Sequence, residues 1–482
     1  MATPANPTST PVWSAQQQTV LAATDSRVHV IALAGTGKTE TLLGFARQRP
    51  RARWRYLTFG RAMADAVQSR LPSNVRAGTF HALAHARFGA PLGAKLYQRF
   101  SADATRRAVG WATFPGWEAG VAALREWRSA FLASADPLPA LGQLPPLAWQ
   151  WLVARPDLLS AIGGPDGFIV AAERFWEATL DPRQGEIDAP GEVPVKRMAL
   201  AGMDWGADGL LIDEAQDLTP CLAQALAEQK AVAVFAGDPA QALYGWRGAG
   251  CAWPPVKEST FPLTGSWRFG AEVAALANER LKHLGRSERL AGLRSDSSVS
   301  DGPTWQSGTT WIARTQAGAV AGALAALAAD QHPGWVGRGT LHRLEALVDL
   351  AAGRTARDPW LAGLRDLDAV ARVARESGDL EWRTAARLVA KTPGTRLEEA
   401  LRALGSNGGT VSVATIHQSK GQTFARAALA PDLRWNASEE EEQRVNYVAL
   451  TRSPHLVLDP ATREACLTPG FEVPDRGWDD GF

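Results

Sequence analysis

Cysteine is scarce in this chain: Cys221, Cys251 and Cys466 are the only three in 482 residues, and no two of them form a CxxC pair. That spacing excludes a zinc ribbon, an iron–sulfur cluster and a disulfide framework, and it fits a reducing compartment. Excess charge of either sign is also missing. The 51 Lys/Arg and 50 Asp/Glu leave a formal net charge of +1, so whole-chain electrostatics favour no class of partner and only local patterns can. No apolar run approaches the roughly 18 residues of a membrane span, and membrane association is not expected. The Ala-rich stretch 317–329 is shorter, ends at Asp330 and reads as a packed helix. Residues 1–11 are rich in Pro, Thr and Ser without a basic start or an apolar core, so a flexible tail is expected there, not a secretory signal. No tandem repeat recurs at a fixed period.

What is present is long and locally patterned. At 482 residues the chain exceeds what one hydrophobic core supports, and about two to four domains are expected. Most of its 19 Trp belong in cores or interfaces. The stretch Ala32-Leu33-Ala34-Gly35-Thr36-Gly37-Lys38-Thr39 follows the apolar run 28–33 and reads as a strand ending in a phosphate-gripping loop. In the GxxxxGK[ST] pattern, loop N–H groups wrap nucleotide phosphates, the lysine reaches the β and γ groups, and the hydroxyl ligates Mg²⁺. Lys38 and Thr39 fill the last two places, while Ala32 stands where the pattern opens with Gly.

Ser14-Ala15-Gln16-Gln17 has capping-box spacing and starts a predicted helix ahead of that strand. A helix over about 39–47 and a strand over 54–59 complete the strand–loop–helix–strand order of an α/β nucleotide domain. Residues 84–206 turn helical, rich in Ala, Leu and Trp and broken by Pro137, Pro139, Pro145, Pro146, Pro165 and Pro190. The stretches 209–213 and 232–236 are short buried strands that end where polar residues begin, as ligand sites of parallel sheets require. A second α/β unit is predicted from about 261, with strands at 310–313 and 411–414 and a helical, Arg/Ala/Leu-rich interruption over 331–406. Thirteen Lys/Arg lie between Arg47 and Arg107 against only Asp65 and Asp103, a basic stretch that suits either a solvated face or a nucleic-acid backbone.

Leu211-Ile212-Asp213-Glu214-Ala215-Gln216-Asp217 places two carboxylates at a strand end, where Asp213 can hold Mg²⁺ through water and Glu214 can activate the attacking water. Then comes Ala236-Gly237-Asp238-Pro239-Ala240-Gln241-Ala242-Leu243-Tyr244-Gly245-Trp246-Arg247-Gly248-Ala249, which resembles the third motif of superfamily 1 helicases of the UvrD/Rep type. The remaining motifs of that family occur in order. Tyr56-Leu57-Thr58-Phe59 and Gly78-Thr79-Phe80-His81-Ala82-Leu83-Ala84 resemble its DNA-contacting segments. Leu263-Thr264-Gly265-Ser266-Trp267-Arg268-Phe269 resembles the fourth motif and Val413-Ala414-Thr415-Ile416-His417-Gln418-Ser419-Lys420-Gly421 the fifth. Glu441-Glu442-Gln443-Arg444-Val445-Asn446-Tyr447-Val448-Ala449-Leu450-Thr451-Arg452 resembles the sixth. The resemblance runs from about 13 to 453, and the segment 79–84 is most similar to the F-box DNA helicase branch.

The resemblance implies an α/β fold of two RecA-like P-loop NTPase cores with parallel sheets, each interrupted by a helical insertion. The first core covers 12–83 and 207–260 with an insert at 84–206. The second covers 261–330 and 407–470 with a smaller insert at 331–406, and tails occupy 1–11 and 471–482. It implies catalytic roles for Lys38, Asp213, Glu214, Gln241, Arg268 and Arg452, the two arginines reaching the γ-phosphate from the second core and Gln241 sensing it. ATP is expected between the cores on Ala34, Gly35, Thr36, Gly37, Lys38 and Thr39, with Mg²⁺ on Thr39 and Asp213. Trp267 stands at the adenine-stacking position and Gln16 at the adenine-reading one, where the neighbouring Gln17 and Gln18 leave the register open. On DNA, Phe59, Tyr244 and Trp246 are expected to stack on bases, while Thr79, His81, Arg247, Thr415 and His417 touch phosphates or bases. Gly60-Arg61, Thr423 and Glu40 depart from the Asn-Lys, Glu and Arg usual in the family at those places.

By resemblance, then, the expectation is an ATP-dependent DNA helicase that moves 3′ to 5′ on single-stranded DNA and unwinds duplex in repair or recombination. Its location is expected to be cytoplasmic, and nucleoid-associated in a bacterial host. Two other readings stay open: a translocase that strips proteins from single-stranded DNA without unwinding, and a nonenzymatic, ATP-gated DNA-binding module. Protein partners are not indicated.

Overall fold

Short runs of small and β-branched residues form the sheets, and their alternation supplies two covered faces. A computed structural model describes residues 12–202, 205–243, 259–301, 304–336, 341–405, 408–458 and 462–464. In the first sheet, β1 (Arg27–Ala32), β2 (Trp54–Thr58), β3 (Val75–Thr79), β4 (Gly209–Asp213), β5 (Val232–Gly237) and β6 (Ser259–Leu263) lie in the order β3-β2-β4-β5-β1-β6. Every pairing is parallel. Val28, Val30, Leu211 and Val234 join one core with Leu42 and Phe45 of the helix Lys38–Arg47, whereas Leu210, Ile212, Ala233 and Phe235 join another with Phe80 and Leu222. Helices on both faces thus make β4 buried at every position. Because all six strands run the same way, their C-terminal ends open on one edge. There β5 separates β1 from β4, so the turns after these three strands face one another.

A short ribbon of β7 (Gly265–Ser266) and β8 (Ala291–Gly292) leads to the second sheet. Its strands are β9 (Ser298–Ser300), β10 (Thr309–Ala313), β11 (Pro333–Trp335), β12 (Val411–Thr415), β13 (Arg426–Leu429) and β14 (His455–Val457), in the order β11-β12-β10-β13-β14-β9. These pairings are parallel too.

Two boundaries differ from expectation. The break between 260 and 261 falls inside β6, where Phe261 pairs with Val30 and the first sheet continues to Leu263. Residues 333–335, expected within a helical stretch, form the edge strand β11 against β12. Both segments contain proline, which weakens a strand reading, and β11 has only three residues, too few to show alternation. The expected capping box at Ser14 is present, with Gln17 N–H donating to Ser14 Oγ at 3.2 Å and Ser14 N–H to Gln17 Oε1 at 3.0 Å.

Between β3 and β4 the chain is helical. Its longest members, Trp117–Ala133 and Gly164–Leu180, pack around Trp127, Phe131, Phe168 and Phe175. Two buried lysines finish these helices. Lys196 Nζ donates to Phe131 O at 3.1 Å and Asp136 O at 2.7 Å, and Lys95 Nζ to Ala178 O at 2.6 Å and Asp181 O at 2.8 Å. In each case a cation meets the negative end of a helix and satisfies its last carbonyls. Four further helices, His342–Ala351, Leu367–Glu376, Leu380–Lys391 and Gly394–Gly405, follow β11. The two helical groups touch where Trp151 Nε1 donates to Asp379 Oδ2 at 3.1 Å beside Trp360 and Trp382. No helix among the described residues is long and apolar enough to cross a membrane.

Trp127 lies fully buried and stacks on Phe131 with centroids 5.3 Å apart. Trp127→Ala is expected to remove about 3–5 kcal/mol from this helical group, read as a lower urea midpoint for its unfolding.

Candidate active site

The turn after β1 requires two glycines. Gly35 (φ 75°) and Gly37 (φ 83°) adopt left-handed backbone, which side chains disfavour. A Cβ on Gly35 would also lie 2.6 Å from Ser266 Oγ and 2.7 Å from Arg268 Cβ. The segment after β6 therefore presses onto the loop, and Trp267 N–H donates to Gly35 O at 2.9 Å. Gly37 opens the helix Lys38–Arg47, so the first N–H groups of that helix, which have no partner within it, line the same cradle. Thr36 turns inward, its hydroxyl on Leu33 O at 2.8 Å, and Ala34 N–H donates to Tyr447 OH at 3.2 Å.

Asp213 ends β4, and Glu214 beyond it takes a left-handed φ of 54°, a strain of about 1–3 kcal/mol that its surroundings must hold. Glu214 Oε2 lies 3.2 Å from Lys38 Nζ. Asp213 Oδ2 accepts from Thr39 Oγ1 and from Tyr56 OH, both at 2.6 Å. Burial and then repulsion from Glu214 push the Asp213 carboxyl up. Burial acts the same way on Glu214, but Lys38, Lys420 and the hydrogen bond from Gln216 outweigh it and hold that carboxyl well below the usual range. Lys38 is opposed by burial and supported by Glu214, Asp213 and Asp238, which raise it above the ordinary lysine value. At neutral pH this leaves an ionised Glu214 facing a cationic Lys38.

Asp238, just past β5, accepts from Gln241 Nε2 at 2.7 Å and from Tyr447 OH at 3.0 Å. Gln216 joins the two acids, donating to Glu214 Oε2 at 2.6 Å and accepting from Asp238 N–H at 3.0 Å.

The helix Glu440–Leu450 of the second sheet's layer supplies Tyr447 and, beyond its end, Arg452. Arg452 is 1% exposed; its Nη2 donates to Gln241 Oε1 at 3.0 Å and its Nε to Val448 O at 2.9 Å. Arg268 Nη1 donates to Thr451 O at 2.9 Å. Burial lowers both guanidinium pKa values, and Arg268 lowers that of Arg452 further. Among the described residues neither arginine is paired with a carboxylate. Buried Arg452 and part-buried Arg268, neither in an ion pair among these residues, stand beside a cradle of N–H donors, and that donor set fits a polyphosphate. Thr39 and Asp213 offer one hydroxyl and one carboxylate to a cation, a hard-oxygen pair that leaves the other positions to phosphate and water, as Mg²⁺ prefers. Among the described residues no group of three or more His, Cys, Asp or Glu could hold a metal.

At the rim, Trp267 is 60% exposed and presents an aromatic surface next to Gly35. Gln16 Nε2 donates to Thr264 Oγ1 at 3.0 Å and its Oε1 accepts Thr264 N–H at 2.9 Å. Gln17 is committed elsewhere, to the helix cap and, through Nε2, to Thr41 Oγ1 at 3.1 Å.

The residues expected on DNA divide between the C-terminal ends of two sheets. Phe59, after β2, is half-buried against Phe80 with ring centroids 5.3 Å apart. Thr79, at the end of β3, accepts Ala82 N–H at 3.1 Å and caps the helix Phe80–Phe88, while His81 Nε2 lies 3.7 Å from Glu192 Oε1. Thr415, at the end of β12, shares a reciprocal cap with Gln418, and half-buried His417 follows on the helix Ile416–Ser419. Tyr244, Trp246 and Arg247 lie outside the described residues.

Sequence reasoning assigned no role to Tyr56, Gln216, Asp238, Tyr447 or the pair Asp217–Lys420. All of them occur within the motifs, but their work is to hold other side chains, and only the fold shows which ones.

A family model for the UvrD/REP helicase N-terminal domain matches residues 203–253, the stretch holding β4, β5, both acids and Gln241. Over that stretch, which carries part of the candidate site, the chain is similar to UvrD-like helicases. Over 505 residues, 92% of this chain, the sequence is 28% identical to F-box DNA helicase protein 1 of Schizosaccharomyces pombe. Over 265 residues, 51% of the chain, it is 27% identical to F-box DNA helicase 1 of Gallus gallus. Over most of its length the chain is thus similar to an F-box DNA helicase. The alignments cover 56% of the first relative and 25% of the second, so the chain spans about half the length, or less, of the curated relatives it matches.

Asp217 is ion-paired with Lys420, yet burial outweighs that pairing and pushes its carboxyl from 3.8 up to about 6. A carboxyl that binds its proton more tightly when folded stabilises at low pH, and this contribution is lost as pH rises through that interval. The difference in urea midpoint between wild type and Asp217→Asn should therefore fall between about pH 4 and about pH 6 and stay level above it.

Proposed function

We propose that this chain is an ATP-dependent DNA helicase. Its two parallel sheets, β1–β6 and β9–β14, are read as RecA-like P-loop NTPase cores, carrying helical inserts after β3 and after β11. It moves 3′ to 5′ along single-stranded DNA and separates duplex, in DNA repair or recombination. The observation that carries this reading is the meeting of Arg268 and Arg452 with Lys38 and the glycine cradle at one seam. DNA as the track is supported by the names of the relatives and by the motif residues after β2, β3 and β12.

Mg-ATP, when bound, supplies the phosphoanhydride whose hydrolysis drives the cycle. The N–H groups of 35–39 and Lys38 would hold its phosphates, Thr39 and Asp213 would hold the cation, Trp267 would stack on adenine and Gln16 would read its edge. Glu214, already ionised, takes the proton of the attacking water. Arg268 and Arg452 neutralise charge on the transferring group. Gln241 senses the γ-phosphate through the same amide that now binds Asp238 and Arg452. Because the arginines come from beyond β6, their attraction to the phosphates favours closure of the seam and its loss favours opening. Phe59, Thr79, His81, Thr415 and His417, with Tyr244, Trp246 and Arg247, grip the strand.

ATP turnover with and without single-stranded DNA tests the reading. Oligodeoxythymidine should stimulate turnover, and 3′-tailed duplexes should separate where 5′-tailed ones do not. Glu214→Gln should lower kcat by about 10²–10⁴-fold while ATP still binds. Turnover indifferent to DNA would sink the proposal, and movement that leaves a forked duplex paired would reduce it to a translocase.

A further inference from the structure

The loop after the helix Ile416–Ser419 is attached to the candidate active site twice. Lys420, which ends that helix, donates from Nζ to Asp217 Oδ1 on the turn after β4. Two residues on, Gln422 O accepts from Arg452 Nη1 at 3.4 Å, and Phe424 N–H donates to Arg452 O at 2.9 Å. On the far side of the ion pair, Asp217 N–H donates to Glu214 O at 2.9 Å, within the turn from which Gln216 grips the Glu214 carboxylate. The Lys420 and Asp217 side chains are only 7% and 12% exposed. A pair that dry is held firmly, because removing either partner strands a buried charge. One short loop therefore ties both Glu214 and Arg452 to the helix that carries His417 and begins at Thr415.

We infer that Lys420 and Asp217 are positioning residues through which single-stranded DNA, held at the helix Ile416–Ser419, sets the geometry of Glu214 and so accelerates ATP turnover. This rests on the reading of the chain as a DNA-dependent ATPase. Thr415 and His417 stand within five residues of Lys420, so a strand that restrains them restrains the backbone bearing the ammonium. A pair that merely welded the halves together would lower turnover equally with and without DNA.

The test is steady-state ATP hydrolysis by the full chain, with and without oligodeoxythymidine, for wild type, Lys420→Met, Asp217→Asn, the double variant and Lys420→Arg. Each single variant should cut the ratio of stimulated to unstimulated kcat at least about tenfold, with KM for ATP changed by less than about threefold. The double variant should be no worse than either single one, as expected of residues acting as a unit, and Lys420→Arg should recover most of the ratio. An unaltered ratio, equal losses with and without DNA, or additive losses overturn the inference. A wild-type chain that DNA fails to stimulate overturns the functional reading instead, and needs no variant to show it. Should Lys420→Met fail to fold by circular dichroism, Asp217→Asn, which keeps the carboxylate's shape, decides alone.

Discussion

Opposite charges packed away from solvent at the seam between two parallel sheets are the constraint on which the rest of the structure turns. Lys38 is balanced by Glu214, but Arg268 and Arg452 lie beside it without a carboxylate of their own among the described residues. Burying such groups is costly unless they are solvated by dipoles or met by an anion. Carbonyls of Thr451 and Val448 and the amide of Gln241 provide the dipoles. An anionic ligand would provide the rest, and that is why the geometry favours a polyphosphate.

The parallel topology makes this concentration of charge possible. With β5 between β1 and β4, three successive strand ends deliver the glycine loop, the acid pair and Asp238 to one edge. No single turn could hold Lys38, Glu214 and Asp238 in such proximity without crowding its own backbone. Tyr447 then bridges Ala34 N–H and Asp238 from the opposite side, and its hydroxyl is satisfied in both directions by groups that belong to the other sheet. Such fully paired polar networks rigidify the seam, whereas the exposed Trp267 beside it stays available to a ligand.

The same logic separates the inner residues from the outer ones. Of the partners of Glu214, Gln216 is fixed by a further bond, from Asp238 N–H. The residues read as DNA contacts have ordinary structural duties besides, Thr79 and Thr415 as helix caps and Phe59 as a partner of Phe80. They sit at the ends of β2, β3 and β12, where a strand of nucleic acid could pass over both sheets. The route from that surface to the acids runs through Lys420 and Asp217.

Local chemistry made much of this readable in one dimension. The glycine loop, the acid pair and the principal buried strands stand out because Gly, Lys, Asp and runs of Val, Leu and Ile leave short-range marks, and the Ser14 cap is a four-residue pattern. β6 and β11 left no such mark, since each contains proline, β11 is only three residues long, and β6 pairs with a strand far away in the chain. Where the side chains of Gln16 and Gln17 go likewise needed the fold, for only there does Gln17 turn to Thr41 while Gln16 turns to Thr264. By itself the sequence determined which chemical groups are available and which turns they sit on, because those depend on neighbours within a few residues. Tertiary structure alone decided that Tyr447 and Lys420 converge on the acids, because that convergence depends on strand order and on contacts between residues some two hundred positions apart, which no local pattern encodes.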